Sequence, residues 1–171
     1  MNASLDEAMD LARMGRWEDV TALVSAQPHL VSLMDEGGNS LLHICAGAEG
    51  AAECMKVLIA LGADTNLPNF AGSRPLADAI VGGSETGLTT LPELRMLLNS
   101  GADPRLSVDA GHPALHWAIS QYRLQHARVL LEMGADPHQP TQDDPPETAF
   151  DVAQRMGYRA AADLLNEYRK P

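Results

Sequence analysis

Apolar residues return every three or four positions through Leu124-Gln125-His126-Ala127-Arg128-Val129-Leu130-Leu131. That spacing puts them on one face of a helix. The run ends at Gly134-Ala135-Asp136, where glycine supplies a left-handed cap at low conformational cost. Upstream, Gly111-His112-Pro113-Ala114-Leu115-His116 opens a shorter apolar helix. The stretch from Gly111 to His138 therefore predicts a turn, a helix, a break, a second helix and a stop. Helices this short cannot bury an apolar face alone, but stacked copies can.

The same pattern recurs along the chain. Gly-Ala-Asp begins at Gly62, Gly101 and Gly134, at intervals of 39 and 33 residues. Matching helix starts are Gly38-Asn39-Ser40-Leu41-Leu42-His43 and Gly72-Ser73-Arg74-Pro75-Leu76-Ala77, with a later one at Pro146-Glu147-Thr148-Ala149-Phe150-Asp151. A fixed period of this size marks a repeat array. These motifs resemble the ankyrin repeat, in which G-x-T-P-L-H-x-A-A opens the unit and L-L-x-x-G-A-D-x-N closes it. The resemblance implies a single all-α domain over 1–171. It would be an ankyrin-repeat solenoid of about five stacked helix-turn-helix units with finger-like turns. The approximate units are 4–36, 37–69, 70–107, 108–141 and 142–171, with the terminal units acting as caps.

Local signals refine this frame. Ser4 and Glu7 form a capping-box pattern with Ser4 as N-cap, opening a helix that runs to about Met14 and stops at Gly15. Trp17 to Ala26 is its partner, and Gln27 to Asn39 is expected as a link that bends into the first finger turn. Pro75 suits a first helical position, where its missing N–H is not needed. Ala46, Ala79, Ala118 and Ala153 are small enough to let neighbouring helices approach. The third unit carries an insertion, 81–92, whose glycines and hydroxyls predict a loop. Tyr122 stands where the turn glycine is expected, and Trp117 is assigned to the core. Arg169 and Lys170 suggest a polar C-terminal cap.

The resemblance also implies a function. Ankyrin fingers and first helices form a concave surface that binds other proteins. The matching residues here are Glu36, Asn39, Phe70, Ala71, Ser73, Asp109, Ala110, His112, Ser120, Gln121, Asp143 and Asp144. His43 and His116 fall in the family's histidine slot, which implies a structural hydrogen bond. Phe70 at a turn tip suits an interface anchor as well as local packing.

Composition sets bounds on partners. Acids outnumber bases 23 to 12, for a net charge of −11. That argues against nucleic acid and anionic membrane surfaces, both of which need cationic contacts, and it favours a basic protein partner. Apolar residues make up 45% and aromatics only 4%, so the core is expected to be aliphatic. Cys45 and Cys54 are expected as buried thiols in a reducing, cytoplasmic setting, with a redox pair as the alternative. The N-terminus lacks a secretory pattern and no run is long enough to span a bilayer.

Candidate chemistry is sparse. Gly82 to Thr89 has the outline of a phosphate loop, but Leu88 replaces the lysine and no strand precedes it. His112 and His116 are four apart without a third ligand at suitable spacing. Hence no metal, cofactor or catalytic residue is expected. The first expectation is a non-catalytic protein-interaction module, a monomer when free. An inhibitor or immunity-type protein that occludes a basic enzyme or toxin is the alternative. An enzyme, with His116–Asp109 or Cys45–His43 as conceivable pairs, is the third.

Overall fold

A computed structural model describes residues 3–83, 90–109 and 111–168. Residues 84–89 of the phosphate-loop outline, together with Ala110, Arg169 and Lys170, lie outside the described residues. Ten helices follow in antiparallel pairs among the described residues. They are α1 (Ala3–Arg13) with α2 (Trp17–Ala26), α3 (Leu41–Ala46) with α4 (Ala52–Ala60), and α5 (Pro75–Val81) with α6 (Leu91–Asn99). Then come α7 (Ala114–Ser120) with α8 (Leu124–Glu132), and α9 (Ala149–Arg155) with α10 (Arg159–Tyr168). First helices pack in one row, α1-α3-α5-α7-α9, and second helices in another, α2-α4-α6-α8-α10.

The packing follows from residue size. Ala46, Ala79, Ala118 and Ala153 are each fully buried along the first row. Their lack of bulk lets helix axes close up, while Leu42, Leu76 and Leu115 fill the layer between the rows. Gly15, Gly62, Gly101, Gly134 and Gly157 all adopt positive φ at helix ends. Tyr122 does the same at φ 58° without the help of glycine's freedom. Its ring rests on Tyr158, with centroids 5.0 Å apart, so packing against the next repeat offsets the backbone strain.

The fingers are hairpin turns tied to one another. Asp35 N–H donates to Asn39 O at 2.9 Å, and Asn69 N–H donates to Ser73 O at 2.7 Å. Asn69 Nδ2 reaches Asn39 Oδ1 at 2.8 Å, and Phe70 N–H donates to Gly37 O at 3.1 Å. The third finger is regular enough to form two short strands, β1 (Ser107–Asp109) and β2 (His112–Pro113). His43 carries the structural bond expected of it. Its Nδ1 accepts from Ser40 N–H at 3.1 Å and its Nε2 lies 3.3 Å from Ser73 O in the next finger.

Three expectations need correction. Helix α1 is already formed at Ala3, so Ser4 lies inside it and is not the N-cap. A short 3-10 helix at Pro28–Ser32 packs Leu30 into the core, where a plain link was expected. The insertion is also narrower than 81–92. Helix α5 keeps Val81, and α6 starts at Leu91 with Pro92 in its first turn. Proline suits that position because its N–H would be unpaired there.

Cys45 and Cys54 are buried free thiols with sulfurs 3.8 Å apart.

Candidate functional site

The first helices and the fingers share one face, and a pocket of about 280 Å³ opens on it between α7 and α9. Helix α7 presents His116, Trp117 and Ser120, with Gln121 just past its end. From the last repeat come Glu147, Val152 and Arg155, and the third finger adds His112. These residues meet because consecutive repeats place equivalent positions side by side. His112 and Glu147 both stand just before the N-cap of their helix, and Ser120 and Arg155 both close the first helix.

An ion pair and a histidine–carboxylate contact frame the pocket. Arg155 grips the Glu147 carboxylate with Nε and Nη2 at 2.8 and 2.9 Å. That guanidinium holds the Glu147 carboxyl below its usual range. His112 Nε2 lies 3.2 Å from Asp143 Oδ2. His116, 1% exposed, has Nε2 3.0 Å from Glu147 O. Burial pushes its pKa down, against the pull of the Glu147 carbonyl, so the ring stays neutral.

His116 differs from His43 in one respect. Its Nδ1 has no hydrogen-bond partner among the described residues. The cause is Pro113, which occupies the position of Ser40 and offers neither an N–H nor a hydroxyl. Pro113→Ser is therefore expected to stabilise the fold by about 1 kcal/mol, the cost of an unmet buried polar group less the proline's entropic benefit. Thermal unfolding should show a rise of about 3 °C. A lower melting temperature would refute this account of His116.

The sequence-derived positions divide three ways. His112, Ser120 and Gln121 line the pocket, and Asp143 joins them through His112. Glu36, Phe70, Ala71 and Asp144 are exposed on finger tips. Phe70 is 76% exposed although its ring lies over Gly38, so it packs locally on one side and stays open on the other. Asn39 and Ser73 are half-buried and engaged in the finger bonds described above. Asp109 contributes backbone to β1.

Sequence reasoning missed three residues. Trp117 packs against the core as expected, and its half-buried ring also lines the pocket, with its centroid 6.4 Å from that of His112. The equivalent positions in the other repeats hold Ile44, Asp78 and Val152; Val152 is buried and Ile44 packs against the core, so the register does not mark the pocket. Glu147 and Arg155 carried no signal either, because their pairing depends on the turn of α9.

Among the described residues, no group of three or more His, Cys, Asp or Glu is placed to hold a metal ion. No described helix is long and apolar enough to cross a membrane.

A family model of ankyrin repeats, three copies long, matches residues 42–141. The chain belongs to the ankyrin-repeat family. Among curated proteins, this ankyrin array is similar to the E3 ubiquitin-protein ligase KEG of Arabidopsis thaliana, with 34% identity over 78% of this chain. It is also similar to the human transient receptor potential cation channel subfamily A member 1, with 33% identity over 61% of the chain. A third relative is the probable E3 ubiquitin-protein ligase XBOS32 of Oryza sativa, with 33% identity over 79%. The chain spans only 8%, 9% and 26% of these proteins' lengths. Ankyrin repeats are generally protein-protein interaction modules, and the family is generally non-catalytic.

Proposed function

We propose that this ankyrin array is a non-catalytic module that binds a partner protein through its concave face and finger tips. The observation that carries this reading is the face itself. It carries a pocket framed by the Glu147–Arg155 ion pair and the His112–Asp143 contact, next to exposed Gln121 and Asp143, with Phe70 protruding two fingers away. A rigid surface of this kind loses little entropy on binding. The relatives support it indirectly. A ligase and a cation channel share the segment, so the shared part is better assigned to recognition than to either activity. The net charge of −11 and the exposed acids Glu36, Asp143 and Asp144 favour a basic partner surface, by steering its approach.

The test is a pull-down at low and moderate salt with the wild type and a triple variant, Phe70→Ala, Gln121→Arg and Asp143→Lys. All three positions are exposed, so helicity is expected to be unchanged. The partner should bind the wild type stoichiometrically and the variant at least about 30-fold more weakly, the usual effect of losing an anchor. A partner retained in full by the variant would move binding away from this face. A captured basic enzyme whose activity the array blocks would select the inhibitor function.

A further inference from the structure

We propose that Cys45 and Cys54 are a thiol pair that hydrogen peroxide oxidises to a disulfide, with Cys54 attacking the peroxide and Cys45 closing the bond. Cys45 is on α3 and Cys54 on α4 of the same repeat. Their sulfurs stand 3.8 Å apart, with the Cys45 S–H donating to Cys54 Sγ. A disulfide is about 2.0 Å long, so the sulfurs must close by about 1.8 Å. One step between staggered rotamers moves a sulfur further than that, so side-chain rotation has the reach to close the gap.

The two thiols are not equivalent. Cys54 forms part of the wall of a groove of about 470 Å³ between α2 and α4, beside Trp17, Thr21 and Val57. Cys45 is no part of that wall and lies deeper. The S–H donated by Cys45 holds the Cys54 thiol below its usual range, against the opposing effect of burial. The same bond, and then burial, pushes the Cys45 thiol up. A more acidic thiol beside a resolving thiol is the arrangement that peroxide oxidises. Cys54 is only 1% exposed, which suits hydrogen peroxide, close to water in size, over a bulky disulfide oxidant. The groove lies on the second-helix row, so this chemistry is independent of how the concave face binds.

Cys54 first gives its S–H proton to solvent. The thiolate sulfur attacks one peroxide oxygen, the S–O bond forms as the O–O bond breaks, and the released hydroxide takes up a proton as water. That leaves Cys54 as a sulfenic acid. The Cys45 sulfur then attacks the Cys54 sulfur. The S–S bond forms, the S–O bond breaks, and the departing hydroxide leaves as water with the Cys45 proton. In sum, two thiols give up two electrons and two protons, and one hydrogen peroxide becomes two waters.

The test treats the reduced full chain with hydrogen peroxide and follows it by intact mass and peptide mapping. The wild type should lose the mass of two hydrogens, yield a peptide cross-linked between Cys45 and Cys54, and recover both thiols with dithiothreitol. The rate should rise in proportion to peroxide and stay flat in sub-denaturing urea. In Cys45→Ala, Cys54 should stop at the sulfenic acid, which dimedone captures. In Cys54→Ala, Cys45 should react at least about tenfold more slowly than Cys54 does in Cys45→Ala. Thiols that persist where free cysteine is consumed in a parallel reaction would overturn the pair as an oxidation site, and so would disulfides between chains. A rate that climbs steeply with urea would also overturn it, by placing the reaction in the unfolded chain. Equal rates in the two variants would overturn the role of Cys54 as the attacking thiol. The wild-type measurements involve no substitution, so they decide the matter even if a variant fails to fold.

Discussion

Acidification from pH 7 to pH 4 should cost this array roughly 3 kcal/mol at His126 alone. His126 is 1% exposed, and its Nε2 lies 3.2 Å from the buried Thr90 hydroxyl. Burial, then the nearby Arg123 cation, pushes its pKa down to about 4, with the Ala79 carbonyl pulling the other way. The folded form thus binds its proton later than the unfolded form, whose histidine titrates near 6.5. Between those values the unfolded state holds more protons, so stability is full above about pH 6.5 and falls as pH drops towards 4. The fall of about two and a half units is worth roughly 3 kcal/mol at 1.36 kcal/mol per unit. That is a large share of the 5–15 kcal/mol typical of a domain.

Other groups add to or subtract from this. His43 and His116 are shifted down by burial as well, so they lose stability in the same direction below pH 6.5. Glu93 acts oppositely. Burial raises its pKa above the usual range, so it costs stability at neutral pH and that cost is relieved as pH falls towards its unfolded value. Urea unfolding at pH 7, 6, 5 and 4.5 measures the sum. His126→Gln should be less stable at pH 7 but lose about 2 kcal/mol less across that range. Parallel profiles for wild type and variant would show that His126 is not the titrating group.

Gly82→Ala should destabilise the protein by roughly 3 kcal/mol, at the upper end of overpacking effects. Gly82 has an ordinary φ of −68°, so alanine meets no dihedral strain. The obstacle is steric. A Cβ there would overlap the Gly47 carbonyl oxygen and Cα, and would sit 2.6 Å from the Gly47 carbonyl carbon. Those are backbone atoms of the preceding repeat and cannot swing aside. The same contact lets Gly83 N–H donate to Gly47 O at 3.1 Å, which fixes the base of the inserted segment. Gly62→Ala is the contrast. Gly62 has φ 93° and nothing within 4 Å of a built Cβ, so only backbone strain of about 1 kcal/mol applies. Chemical unfolding of both variants should separate the two mechanisms. Equal losses would mean that the Gly82–Gly47 contact does not constrain the fold.

Much of the architecture was legible in the sequence because it rests on local rules. The Gly-Ala-Asp stops work through the backbone freedom of Gly62, Gly101 and Gly134. The buried alanine column works through side-chain volume at a fixed register. Both act within a few residues and leave a mark in the string. The candidate site was legible in part. His112, Ser120, Gln121 and Asp143 stand at finger and helix-end positions of a recognisable repeat, so their placement at or beside the pocket could be read from the register. The place of Trp117 at the pocket was not legible, because periodicity over seven residues cannot tell a side chain that only packs on the core from one that also borders an opening.

By itself, the sequence determined the helical period, the stops and the stacking of repeats, since each follows from steric and hydrophobic preferences of neighbouring residues. Only the tertiary structure decided which partner each polar group met. Glu147 O lies against His116 across 31 positions, Thr90 against His126 across 36, and Gly82 packs on Gly47. These contacts arise where one repeat's surface closes on the next. The same closure brought His112, His116 and Trp117 to one pocket and left a buried polar atom of each without a partner among the described residues, because donor and acceptor pairing depends on distances and angles that a linear pattern does not carry.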